Sequence, residues 1–132
     1  MKKGLMTPVI DIEEDMPPSI VDAATNAKNM EMVKEHWSLG PEKADDEPNS
    51  NPEYWNKLSV IWNITPLEAR RQKCANCEYF ENTPLMMEAM EDIPRTAFDK
   101  DGGGRGYCHK FDFICHNLRT CQAWELKEYE RD

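Results

Sequence analysis

The chain has 132 residues, with 16 Lys plus Arg against 25 Asp plus Glu and a net charge of −9. The acid excess is spread evenly: 9 basic against 13 acidic residues over 1–73 (net −4), and 7 against 12 over 74–132 (net −5). Neutralising phosphates needs clustered Lys and Arg, so this balance argues against a nucleic-acid surface, and no apolar run is long enough to suggest a membrane span.

Met1-Lys2-Lys3-Gly4 leads into no apolar stretch of signal-peptide length, so the expected setting is a reducing cytoplasm. Pro8, Pro17 and Pro18 forbid a long helix at the start, and residues 1–17 read as an extended arm. A helix is expected over 19–39, capped by Ser19 and stopped by Gly40-Pro41. Its stripe of Ile20, Ala23, Ala24, Ala27, Met30, Val33 and Trp37 is thin, which suits packing along a partner. Residues 41–52 are a polar, proline-punctuated linker. Pro52 opens a second helix with the stripe Tyr54, Trp55, Leu58, Ile61 and Trp62. Thr65-Pro66-Leu67-Glu68 is a capping box for a short third helix that delivers the chain to Cys74. Thr83-Pro84 caps a helix carrying Leu85, Met86, Met87, Ala89 and Met90. Residues 99–106 read as a flexible glycine-rich turn, and the tail after Trp124 as a charged helical end.

The expected fold is a small, irregular, α-rich, metal-stapled domain with few short strands, preceded by an extended helical N-terminal arm. Three segments follow: 1–50 as arm and partner-binding helix, 51–73 as amphipathic helices, and 74–132 as a Cys-rich domain. A unit of about 60 residues usually needs a staple.

All five cysteines lie in that last segment: Cys74, Cys77, Cys108, Cys115 and Cys121. Disulfides are disfavoured by the odd count and the absence of an export signal. Structural zinc is a second reading, in which His109 or His116, each beside a cysteine, completes a Cys/His set. The spacing Cys108-x6-Cys115-x5-Cys121 is not that of a zinc finger. The third reading is a [4Fe–4S] cluster, favoured by aromatic residues beside three of the thiols.

The order Cys74-Ala-Asn-Cys77-Glu-Tyr-Phe, then Gly106-Tyr-Cys108-His-Lys-Phe, then Cys121-Gln-Ala-Trp124 resembles the high-potential iron–sulfur proteins over residues 74–124. The resemblance implies Cys74, Cys77, Cys108 and Cys121 as cluster ligands and Tyr79, Phe80, Phe111 and Trp124 as aromatic walls. Cys115 has no counterpart in the pattern and stands as an alternative ligand or a spare thiol. Those proteins are exported electron carriers without such an arm. The layout of an arm plus a small Cys-rich knob also resembles small structural proteins of tailed bacteriophages. The expectation is therefore a non-enzymatic, iron–sulfur-binding structural subunit of a viral particle (tail, baseplate or head–tail region), located in the virion and assembled in the host cytoplasm. Its partners would be other subunits reached through the arm, with no nucleic acid and no membrane. A soluble cytoplasmic electron-transfer protein and a zinc-binding adaptor are the alternatives.

Other signals carry less. The glycine run lacks the Lys-Ser/Thr of a P-loop and reads instead as backbone free to approach cluster sulfurs. His36 reads as a surface helix residue, the four Trp as core or interface anchors, and Met86–Met90 as packing. Adjacent Cys108-His109 and Cys115-His116 pairs seldom face each other as nucleophile and base.

Overall fold

The computed structural model describes residues 18–45 and 47–127. The expected extended arm over 1–17 and most of the expected helical tail lie outside these residues. The described chain is a mixed helix–strand fold, with five helices around a three-stranded antiparallel sheet.

Helix α1 spans Ala23–His36, shorter at both ends than the apolar periodicity implies. Asp22, not Ser19, is its N-cap, and its carboxylate accepts the Thr25 N–H at 2.8 Å. The helix stops before Gly40 because Ser38 adopts a left-handed conformation (φ 54°), and the Leu39 N–H turns back to the Val33 carbonyl. α2 (Pro52–Trp62) and α3 (Pro66–Ala69) form where proline and the capping box place them. Thr65 and Glu68 satisfy each other's backbone N–H groups reciprocally. α4 (Pro84–Met90) starts on the Thr83 hydroxyl.

The glycine-rich stretch departs from a flexible turn. A capping box of Thr96 and Asp99 opens helix α5 (Ala97–Lys100), and a strand begins at Arg105. Gly102 is buried, and a Cβ there would meet His116 and Arg119 side-chain atoms within 3 Å. Gly102 thus closes the chain over those two side chains, and Gly103 (φ 90°) packs against Asn117 and Leu118.

Strands β1 (Phe80–Glu81), β2 (Arg105–Cys108) and β3 (Phe113–His116) lie in that order. Gly106 pairs with Cys115, and Cys108 with both Phe113 and Phe80. Alternation along a strand then sorts side chains onto two faces. Cys108, Phe113, Cys115 and Phe80 share one face with Val33 and the other cysteines. Tyr107 and Ile114 go to the opposite face, against Met86, Met90 and Ile93. Gly106 has no side chain because the Phe80 ring crosses it; a Cβ would sit 1.9 Å from that ring.

α1 lies on β3. Val33 is fully buried, the Asn26 side chain accepts the Ile114 N–H at 2.6 Å, and Asn29 donates to the Asp112 carbonyl at 2.8 Å. These amides cover part of the outer edge of β3, which would otherwise present unpaired backbone groups. Downstream, Gly40 and Thr120 exchange backbone hydrogen bonds, the Tyr54 hydroxyl donates to the Ser38 and Thr120 carbonyls, and the Trp62 indole donates to the Gln122 carbonyl. The helical half of segment 1–50 is thus joined to the Cys-rich segment by main-chain contacts.

Behind the sheet, buried Arg105 donates to the Met90, Ile93 and Pro94 carbonyls and to both oxygens of Asp99, which also bonds His116 Nε2 at 3.0 Å. Burial opposes the Asp99 carboxylate. The Arg105 guanidinium, the Thr96 N–H and His116 outweigh it and hold the pKa well below the usual range. A depressed folded-state value stabilises the fold above the unfolded pKa of about 3.9 and loses that contribution as pH falls below it. Asp99→Asn should cost about 3 kcal/mol at neutral pH by leaving Arg105 uncompensated. It should also flatten the loss of stability below about pH 4, as read by urea unfolding across a pH series.

Candidate metal centre

Cys74 opens a 3-10 turn, Cys74–Asn76, whose amides dock on the segment that follows β3: Cys74 N–H to the Arg119 carbonyl (2.6 Å) and Ala75 N–H to the Asn117 carbonyl (3.2 Å). Asn76 holds this turn from inside. Its side-chain oxygen accepts the Lys73 N–H and the Trp124 indole N–H, and its amide donates to the Arg71 carbonyl. Trp124 Nε1 also reaches the Lys73 carbonyl at 2.9 Å. The Asn of the Cys-x-Asn-Cys motif and the Trp of Cys-x-x-Trp are therefore one mechanical unit, clamping the first cysteine loop to the last. Cys77 leaves the turn to bridge with Leu126, and Cys108 ends β2, where its carbonyl accepts the Asp112 N–H. The bridge at Leu126 replaces the start of the expected helical tail.

The five sulfur-bearing side chains line one cavity together with Tyr79, Phe80, Phe111, Phe113, Ala123 and Trp124. The four cysteines and the aromatic walls singled out by the sequence motifs are thus brought together, and Cys115 joins them. Residue spacing gave no reason to place Cys115 there. The signal that could have is strand alternation, since Phe113 and Cys115 share a face and Ile114 and His116 the other. Neither histidine beside a cysteine lines the cavity. His109 pairs with Glu81 at the surface and His116 with Asp99 behind the sheet.

Cys74 Sγ and Cys115 Sγ are 3.4 Å apart, both on the cavity wall. Two thiolates on one tetrahedral ion with metal–sulfur bonds of about 2.3 Å would be about 3.8 Å apart. Among the described residues, no group of three or more His, Cys, Asp or Glu side chains is arranged to hold a single metal ion.

The cavity wall shifts the thiols in different directions. Burial pushes Cys108 up to about 11 and Cys121 up to about 12, and raises Cys77 as well. Cys74 is raised by its contact with Cys115 and by burial. Burial also opposes ionisation of Cys115, but the Cys74 thiol, the His116 backbone N–H and the nearby Arg119 guanidinium draw its pKa below the ordinary value. Arg119 is 1% exposed; it stacks 3.7 Å from the Phe98 ring centroid and donates to the Glu42 and Phe98 carbonyls, leaving its Nε and one terminal nitrogen without partners. The Thr120 hydroxyl also lacks a partner, although Thr120 is fully buried and lines the cavity. A buried hydroxyl without an acceptor is costly, so this wall is suited to an anion or a sulfur acceptor.

Comparison of the chain with family models, curated proteins and solved structures finds no match.

Asn76→Ala removes three side-chain hydrogen bonds, two that hold the first cysteine loop and one, from Trp124, that joins it to the last. It should cost about 1–3 kcal/mol in urea unfolding, whereas replacing the exposed neighbour Ala75 with Ser should leave the midpoint unchanged.

Proposed function

We propose that this chain binds a [4Fe–4S] cluster in the cysteine cavity and that the cluster serves as a folding staple for a structural subunit of a larger assembly, a viral particle. The observation that carries the reading is one apolar, aromatic-walled cavity lined by all five cysteines. The residues fit the group. Four thiolates have their countercharge supplied by the irons, the aromatic walls exclude water, and the orphaned Thr120 hydroxyl has an acceptor once sulfur anions are present. When bound, the cluster would supply an inter-loop cross-link that hydrogen bonds of about 1 kcal/mol each do not match. Cys77, Cys108 and Cys121 hold three corners, and Asn76, Trp124 and Arg119 position the loops that present them.

The subunit role rests on how little of α1 and the helices after it is covered. Ala23, Ala24, Ala27, Lys28 and Glu31 face outward, and Val60 and Leu67 are 80% and 62% exposed. Subunit contacts would use these exposed residues together with the N-terminal segment ahead of Pro18. A soluble electron-transfer role is the second reading, favoured by Cys74, Cys108 and Cys121 being only partly covered. The zinc reading has support from the Cys74–Cys115 spacing alone.

Protein purified without oxygen should be brown and contain about four iron and four acid-labile sulfide per chain, and Ser at Cys77, Cys108 or Cys121 should abolish both. Stoichiometric zinc without sulfide would overturn the cluster. The subunit role predicts that the chain sediments with the particle from infected cells, whereas a freely soluble monomer that cycles reversibly would support the carrier instead.

A further inference from the structure

We propose that Cys74 and Cys115 share one corner of the cluster site, so that either sulfur, but not both, ligates the same iron while the other stands beside it as a thiol. This inference rests on the cluster reading above and assigns the fifth cysteine, which that reading leaves without a role.

The geometry behind it is the 3.4 Å contact between the two sulfurs on the cavity wall. In a cubane each iron is bound by three sulfides and one thiolate, and the four thiolates diverge from the corners. Ligands on different irons are therefore separated by an iron–iron edge and two outward iron–sulfur bonds. Two sulfurs in van der Waals contact cannot occupy two corners, and a single iron offers only one thiolate position. Cys77, Cys108 and Cys121 have no such competitor among the sulfur contacts of the described residues, so they supply the other three corners.

The apposition is imposed by backbone and does not need a metal to create it. The Cys74 and Ala75 N–H groups dock on the Arg119 and Asn117 carbonyls, immediately after the strand that carries Cys115. Cys115 is held in turn by its ladder pairing with Gly106. These bonds fix the Cα–Cβ stems of both cysteines, so both thiols stay on the same stretch of cavity wall and the idle one lies beside the ligating one.

Exchange between the two arrangements balances without a co-reactant. Cys115 Sγ forms a bond to iron as Cys74 Sγ gives its bond up, and the proton carried by Cys115 passes along the S–H···S contact to Cys74. No electron is transferred and the net charge is unchanged. The idle thiol donates a hydrogen bond to the ligating sulfur in both states, an interaction known to tune clusters through their sulfurs.

The test compares Cys74→Ala, Cys115→Ala and the double variant with the wild-type chain, all purified without oxygen and assayed for iron, acid-labile sulfide and far-ultraviolet circular dichroism. Each single variant should retain the wild-type content and the double variant should lose the cluster. A wild type with cluster, an intact Cys115→Ala and a folded but cluster-free Cys74→Ala would overturn the shared corner while leaving cluster binding standing. A wild type without iron and sulfide would overturn both. If Cys74→Ala does not fold, electron paramagnetic resonance of the cluster's paramagnetic state decides. The wild type should show two overlapping signals, of which Cys115→Ala keeps one; identical single signals in the two proteins would overturn the proposal.

Discussion

Five sulfurs in one apolar space, with a single buried guanidinium close by, set the terms for the rest of the molecule. As thiols they are weak hydrogen-bond partners that add little to a core. As thiolates they repel one another in a medium that screens poorly. The surrounding structure is built to keep them together. The 3-10 turn is docked on the strand-exit segment, Asn76 and Trp124 lock the first and last cysteine loops, and a glycine at 106 lets Phe80 close over the sheet. None of these contacts would neutralise the sulfurs as thiolates. A multivalent cationic core would, which is the physical ground for the proposed cofactor.

The two faces of the sheet divide the work. One carries the cysteines; the other carries Arg105, Asp99 and His116, whose hydrogen bonds tie α4, α5 and both long strands into a charged but nearly saturated cluster. The short strands gain little from their own ladders, at four residues or fewer each. Their registers are fixed by what lies above and below them. α1 then closes the β3 edge through Asn26 and Asn29, so a helix with a thin apolar stripe is still specifically placed.

Much of this was legible in the sequence where the chemistry is local. Pro52 at a helix start, the Thr65–Glu68 box and the Thr83 cap announce themselves within four residues, and the observed helices begin where they say. The cysteines and the aromatic walls that the motifs single out all line the one cavity. What escaped was non-local. The seat of α1 on β3 uses one valine and two asparagines, and polar amides leave no trace in a hydrophobic stripe. Ser19 lost the cap to Asp22 because a carboxylate three residues on competes better for the first-turn N–H groups. The glycine run read as slack because nothing in it announces that Arg119 and His116, more than ten residues on, need the space. Cys115 stands in the sequence as an alternative ligand or a spare thiol because its placement depends on strand alternation, and a four-residue strand is too short to declare its period.

A metal cofactor in the cavity would hold the two cysteine loops, and through β3 the first helix, in one fold. Amide hydrogen exchange of the anaerobically purified protein, before and after removal of its metal by chelation, tests this most directly. Loss of protection through residues 74–80 and 105–126, extending to α1, is the predicted result. Unchanged protection in the metal-free protein would contradict it, because the hydrogen bonds and the apolar cores would then suffice alone.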